Sequence, residues 1–188
     1  MYLSKPGFTF RLLTAALVVL AVVAASAPQA RAASCPAAGA VNNAAAAFTN
    51  AARSGSASAF SSALARHTDV RGAALSALGP YRKQLPAGRQ REYVNGAQAF
   101  MARFLMKNSR PFRSSRDLQI ESCRANLVET SLAGKSRMIW RVSGGRIRDV
   151  QVSGVWLALQ LRSKFTGIIR RNNGRIDALL DYLRRSGD

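Results

Sequence analysis

The sequence predicts an α+β domain in which several helices pack on a curved antiparallel sheet. Three observations predict it. Apolar residues recur at helical spacing through the first half of the chain, as far as Lys107. Past Pro111 the period shortens to two, with Ser143-Gly144-Gly145 as a hairpin signal between two alternating runs. Helical spacing then returns from Leu161 to the end. A block of helices followed by a meander of strands buries the apolar face of each layer against the other, which is α+β architecture.

The chain opens as an exported one does. Lys5 and Arg11 precede an apolar run from Leu12 to Ala25, interrupted only by Thr14, and Ala30-Arg31-Ala32 places small residues where a signal peptidase reads. The run falls short of the roughly 20 apolar residues that cross a bilayer. The expectation is a signal peptide over residues 1–32, cleaved near Ala32, rather than a retained anchor. Residues 33–188 then form a single domain with enough chain for its own core.

Ser34 to Arg53 is alanine-rich, with Val41, Ala45, Phe48 and Ala52 at helical spacing and a break expected at Gly39. Ser54-Gly55-Ser56 ends this helix, and Ser56 can cap a second one running to about Arg66. Leu75 to Tyr81 predicts a short third helix, closed near Lys83 by a loop holding Pro86 and Gly88. Arg89 to Lys107 is the longest amphipathic run, with Tyr93, Ala97, Phe100, Phe104 and Leu105 on one side, stopped by Asn108-Ser109-Arg110-Pro111. Next come three or four strands: Leu118 to Cys123, Leu127 to Leu132, Arg137 to Val142 and Arg146 to Ser153, with a turn at Ala133-Gly134-Lys135. Met138, Trp140 and Val142 point one way. Leu161 to Arg171 and Arg175 to Arg185 close the chain as helices separated by Asn172-Asn173-Gly174.

Cys35 and Cys123 are the two cysteines, both beyond the signal segment. An even pair in an oxidising compartment favours a disulfide, worth on the order of 4 kcal/mol for so long a loop in the chain-entropy model. The rival reading makes Ala32-Ala33-Ser34-Cys35 a lipobox with Cys35 lipid-modified, although such a motif usually has Leu where Ala32 stands. Two free thiols packed as small hydrophobes are the third.

The formal net charge is +19, and removing Lys5, Arg11 and Arg31 with the signal segment leaves +16. In a cytosolic protein this balance suggests nucleic acid. Export redirects it to anionic membrane surfaces and envelope polysaccharide, where each Lys or Arg near the surface contributes about 1 kcal/mol. No nucleic-acid partner is expected. A merely solvated basic face is the plain alternative.

Catalysis has little support. His67 is the one histidine, and its neighbours Thr68 and Asp69 would point to other faces of a helix. One histidine and two distant cysteines cannot build an ordinary zinc site. The chain has no Gly-rich phosphate loop and no Gly-x-Ser-x-Gly elbow. The candidate inner face of Met138, Trp140, Val142, Val150 and Val152 carries no ionisable group. No catalytic residue, metal or cofactor is therefore expected.

The order Asp149-Val150-x-Val152-x-Gly154-Val155-x-Leu157, followed by Arg162-Ser163-x-Phe165, resembles the MlaC family, also called the toluene-tolerance family. Leu78-Gly79-x-Tyr81-Arg82, Gln90-Arg91-x-Tyr93, Phe100 and the closing Leu179-Leu180…Leu183 helix match it in order and spacing, and Asp69-Val70 stands where the family has an aspartate opening a helix. Arg146 and Arg148 stand where it usually has Trp and Tyr. The resemblance implies a cystatin-like cone, a curved sheet wrapped by helices, whose apolar cavity takes acyl tails and leaves the headgroup at the mouth. It implies a periplasmic phospholipid carrier that serves intermembrane transport and outer-membrane lipid asymmetry. The implied partners are an inner-membrane ABC transporter complex with an MCE-domain subunit and an outer-membrane lipoprotein complex.

Candidate cavity residues on this reading are Tyr81, Phe100 and Phe104 from the helices, and Met138, Trp140, Val150 and Val152 from the strands. Val155, Trp156 and Leu159 come from the link that follows. Periodicity alone describes a solid core equally well. Arg162 either pairs with Asp149 as a structural contact or meets a headgroup phosphate. Three alternatives remain beside the phospholipid carrier: a carrier of hopanoid-type lipid, a basic envelope or membrane adaptor with a filled core, and an enzyme on the same cone.

Overall fold

A computed structural model of the protein describes residues 35–109, 118–132 and 136–186. The predicted signal peptide and the turn at Ala133-Gly134-Lys135 lie outside the described residues. Helix α1 spans Ala38–Ser54 and runs through Gly39, where a break was expected. A single glycine costs a helix only about 1 kcal/mol, and the packing of Val41 and Ala44 outweighs it. Helix α2 (Ala57–His67) is capped as expected, with Ser56 Oγ accepting the Ala59 N–H. His67 is its last residue.

Helix α3 (Val70–Ala77) starts five residues before the periodicity suggests, because Asp69 accepts the Gly72 N–H and opens it. Two short 3-10 turns, Gly79–Gln84 and Ala87–Arg89, lead to α4 (Gln90–Lys107). Its Tyr93 is fully buried and donates its hydroxyl to the Ala74 carbonyl at 2.6 Å, fixing α4 to α3. Gln98 binds the Ser61 carbonyl and hydroxyl, fixing α4 to α2.

The sheet is a meander of five antiparallel strands in sequence order: β1 (Leu118–Arg124), β2 (Leu127–Leu132), β3 (Ser136–Ser143), β4 (Arg146–Val152) and β5 (Val155–Trp156). The two-residue β5 is one strand more than expected. Ser153 and Gly154 both take positive φ, the geometry of a tight two-residue hairpin, and they fold the supposed link back onto β4. Helix α5 (Leu157–Arg171) therefore starts four residues earlier than the periodicity implied, and α6 (Ile176–Arg185) follows. Helices beside an open antiparallel sheet make the fold α+β, as the sequence predicts.

Two bulges set which side chains face inward. On β1 the register shifts between Ile120 and Ser122, so Cys123 pairs with Val128 and joins Leu118 and Ile120 on the inner face. Strict alternation would put Cys123 on the opposite side. The bulge thus brings it to Cys35, and the two form a disulfide with Cα atoms 5.7 Å apart. On β4 a shift opposite Arg141 and Val142 lets both Ile147 and Val150 face inward. Arg148 reaches Asp69 as an ion pair, and Asp69 N–H donates to the Ile147 carbonyl at 2.9 Å. The α2–α3 junction is pinned to the sheet there.

The core has three parts. Phe165, Leu179, Leu180, Leu183 and Tyr93 centre a helical cluster of α3 to α6. Phe60, Leu64, Val70 and Ala102 join α1 to α4. Val41 and Ala44 of α1 lie with Val128, Met138, Trp140, Val142 and Ile147 of the sheet.

Candidate binding cavity between helix and sheet

A cavity of about 530 Å³ lies between α1 and the sheet. Leu118, Leu132, Met138 and Trp140 form its floor, from β1, β2 and β3. Its roof is one stripe of α1, with Asn42, Ala45, Ala46, Thr49, Asn50 and Arg53 three or four residues apart and Phe48 beside them. The alanines explain the space. A helix packs on a sheet at a distance set by its larger side chains, and Ala45 and Ala46 leave the gap in front of Met138 and Trp140 unfilled.

The floor is kept apolar by one internal bond. Trp140 Nε1 donates to Thr130 Oγ1 at 2.9 Å, and both residues are buried. Among the described lining residues Arg53 is the single ionisable side chain. It stands exposed in the last turn of α1, on the same stripe as Asn42, Thr49 and Asn50, so a polar and cationic roof faces the apolar floor. Among the described residues no acid, His or Cys lines it, and no metal-binding group occurs. The arrangement can bury hydrocarbon and hold an anion at its edge.

Met138 and Trp140 line this cavity. Val152 and Val150 are their direct cross-strand partners and pack in the same cluster without lining it. The other candidates lie elsewhere. Phe100 stacks edge-on to Phe165 and beside Tyr182, with Tyr81 in the same helical core, because α4 turns this face to α5 and α6. Phe104, Val155 and Leu159 are exposed large hydrophobics. Trp156 and Leu159 border a separate cleft of about 270 Å³ with Arg141, Asp149 and Arg162. There the Arg141 guanidinium lies 4.3 Å from the Trp156 ring centroid.

Arg162 does not pair with Asp149. Its Nε and Nη2 donate to the Ser76 carbonyl at 3.2 and 3.0 Å, in the last turn of α3 where carbonyls lack helical partners. Asp149 instead accepts from the N–H groups of Val150 and Ala158 at 2.9 and 3.0 Å, capping the first turn of α5. Burial pushes its carboxyl above the ordinary aspartate value, against the pull of these two bonds and of Arg141.

The cavity stripe on α1 is what sequence reasoning missed. Its signal was available: Asn42, Ala45, Ala46, Thr49, Asn50 and Arg53 are a helical stripe of small and polar residues beside the apolar one. Small residues on a sheet-facing helix mark a place where packing is left incomplete.

The protein is similar in fold to the phospholipid-binding protein from Ralstonia solanacearum, solved in complex with a phospholipid. The TM-score is 0.62 at 17% identity, over 79% of this chain and 93% of that one. No curated protein matches the chain. The model of the MlaC protein family matches residues 41–185, from the cavity roof to the last helix, and the chain belongs to that family.

Proposed function

We propose that the protein is a periplasmic phospholipid carrier that shuttles lipid between the inner and outer membranes of a Gram-negative envelope. Residues 1–32 act as a removed signal peptide and residues 33–188 as the lipid-binding domain. The cavity between α1 and the sheet carries this reading: an apolar floor under a roof of small, polar and cationic side chains in a chain of the MlaC family. The phospholipid bound by the Ralstonia protein supports it. The cargo is the only non-protein group required, and no cofactor takes part.

The mechanism is shielding. Each acyl methylene buried against Leu118, Leu132, Met138 and Trp140 is worth about 0.8 kcal/mol. Tight burial alone makes release slow, so the partners must loosen the cavity. Those partners are the inner-membrane MCE-domain transporter complex on one side and the outer-membrane lipoprotein complex on the other. Mass spectrometry of an organic extract of the exported, purified protein tests the reading. Phospholipid should co-purify with the parent and be much reduced in Ala45→Trp, whose indole occupies the cavity. A lipid-free parent with a strongly destabilised Ala45→Trp would overturn it, since a solid core loses about 1–3 kcal/mol to such overpacking.

A further inference from the structure

We infer that the end of the sheet at β5 and the first turn of α5 form a docking surface for an anionic phospholipid bilayer. The surface is separate from the cavity under α1, and it goes beyond the carrier reading without resting on it. Among the described residues Val155, Leu159 and Phe104 are the large hydrophobics left exposed. Val155 and Leu159 flank Trp156 in the chain, one in the edge strand and one in the helix that leaves it. Leu159 is 57% exposed, the most of the three. Its helix does not need it for packing, because Leu161, Phe165, Ile168 and Ile169 supply the buried face of α5.

The position is held by the fold. Ser153 and Gly154 close a tight hairpin, so Val155 pairs with Val152 and Trp156 with Gln151. Trp156 is half-buried, and the Arg141 guanidinium lies over its ring. Asp149 caps the first turn of α5 through the Ala158 N–H. Leu159 therefore sits on a fixed turn, at the rim of a cleft it shares with Trp156, Arg141 and Arg162. Every residue lining that cleft is described, and so is the chain on both sides of each.

Charge names the partner. Arg141 and Arg162 are both exposed, and the ion pairs of the described residues include neither. The Ser76 carbonyl takes two of the five N–H donors of Arg162. The carboxylate in the cleft, Asp149, is half-buried and gives Oδ1 to the Val150 and Ala158 N–H groups. A stable protein interface takes about 20–30 residues a side, whereas the apolar part here is two aliphatic side chains and an indole. At a bilayer that set is sufficient for a reversible contact. Guanidiniums bind headgroup phosphates in bidentate geometry, an indole settles at headgroup depth, and an aliphatic side chain reaches the acyl boundary.

Sedimentation of the exported, purified protein with vesicles of phosphatidylethanolamine and phosphatidylglycerol, at low salt, tests the surface. Leu159→Ser should weaken binding about ten-fold, the worth of one buried leucine. Arg141→Gln should weaken it about five-fold, the worth of one cation at an anionic surface. Two controls remove the same chemistry elsewhere: Phe104→Ser on α4 and Arg185→Gln at the end of α6. Each should stay within about two-fold of the parent, because the first lies outside the contact and the second acts only through screened attraction. All four side chains are exposed, so thermal unfolding should stay close to the parent's. A Leu159→Ser variant that binds like the parent would overturn the inference in favour of a protein partner. Equal losses in all four variants would overturn it too, by reducing the contact to general charge and hydrophobicity. A parent that carries lipid yet ignores these vesicles would overturn the docking surface and leave the carrier reading intact. A lipid-free parent that still binds them through Leu159 would support the surface and overturn the carrier reading alone.

Discussion

Trp140 and Thr130 stand diagonally across β2 and β3, and the threonine hydroxyl takes the indole N–H at 2.9 Å in a site closed to water. The bond settles a conflict at the cavity floor. An indole supplies a broad apolar wall but carries one donor that must be satisfied when buried. Thr130 satisfies it within the sheet, so nothing polar is demanded of whatever fills the cavity. Thr130→Val keeps the shape and removes the acceptor. It should lower stability by about 1–3 kcal/mol and Tm by several degrees, while Thr130→Ser should stay close to the parent. Thermal unfolding of the three proteins checks this, and a valine variant as stable as the parent would refute it.

The disulfide fastens the cavity roof to the edge of its floor. Cys35 lies just before α1 and Cys123 in β1, at a sequence separation of 88. Replacing both by serine should remove on the order of 4–5 kcal/mol in the chain-entropy model, read from urea midpoints at unchanged m-value. Added ligand should recover part of the loss, since it binds the folded state alone. Alkylation before reduction should label neither sulfur. A diacylglyceryl mass on Cys35, or two labelled thiols in the untreated protein, would contradict the structure here.

Asp149 gives a pH signature of unusual sign. Its carboxyl is raised, first by burial, so the folded state holds the proton more tightly than the unfolded chain. Its contribution to stability therefore grows as pH falls from above the raised folded value toward the ordinary value of 3.8, and is lost as pH rises through the folded value. Asp149→Asn keeps an acceptor for Val150 and Ala158 and cannot titrate. It should differ little from the parent at pH 7 and fall behind it on acidification through that window. Asp149→Ala loses the cap and should cost about 0.5–2 kcal/mol at either pH. Urea unfolding of the three proteins at pH 7 and near pH 4 decides; an Asn variant that instead gains on the parent in acid would reverse the sign.

The sequence made the layers legible because each layer has its own period. Strand β2 and helix α4 lie where alternation and amphipathicity put them, to within a residue. What failed were places where one residue changes the count. The bulge at Glu121 inverts the inward face of β1 beyond it, and period two cannot reveal an inserted residue. Helices α3 and α5 start early because Asp69 and Asp149 cap them, a signal carried by one polar side chain and not by a hydrophobic pattern. The cavity was half legible. Met138 and Trp140 look apolar whether they face a tail or a side chain, and the feature that decides is the small size of Ala45 and Ala46 opposite. Tyr81 and Phe100 were drawn toward the site by size, but the helices use that bulk to fill their own core.

The excess of positive charge should act on membranes through screened attraction. Among the described residues the acids Asp69, Glu92, Glu129, Asp177 and Asp181 are held in ion pairs with Arg148, Arg89, Arg137 and Arg184. With nine acids against 28 basic residues in the whole chain, most of the basic surface stays uncompensated. Arg170, Arg171 and Arg175 stand exposed where α5 turns into α6, and none of them lines the cavity. Each contributes about 1 kcal/mol near an anionic bilayer, a force whose range falls from about 30 Å at 0.01 M salt to about 8 Å at 0.15 M. Binding to anionic vesicles should therefore weaken steeply over that interval and be absent on neutral vesicles. Reversing the three arginines to glutamate lowers the net charge by six, and should slow lipid transfer between anionic vesicles while the lipid content of the purified protein stays constant. Vesicle sedimentation across salt, with fluorescent lipid transfer on both proteins, measures this. Binding indifferent to salt, or transfer unchanged in the reversed variant, would reduce the basic face to a solvated surface without a part in delivery.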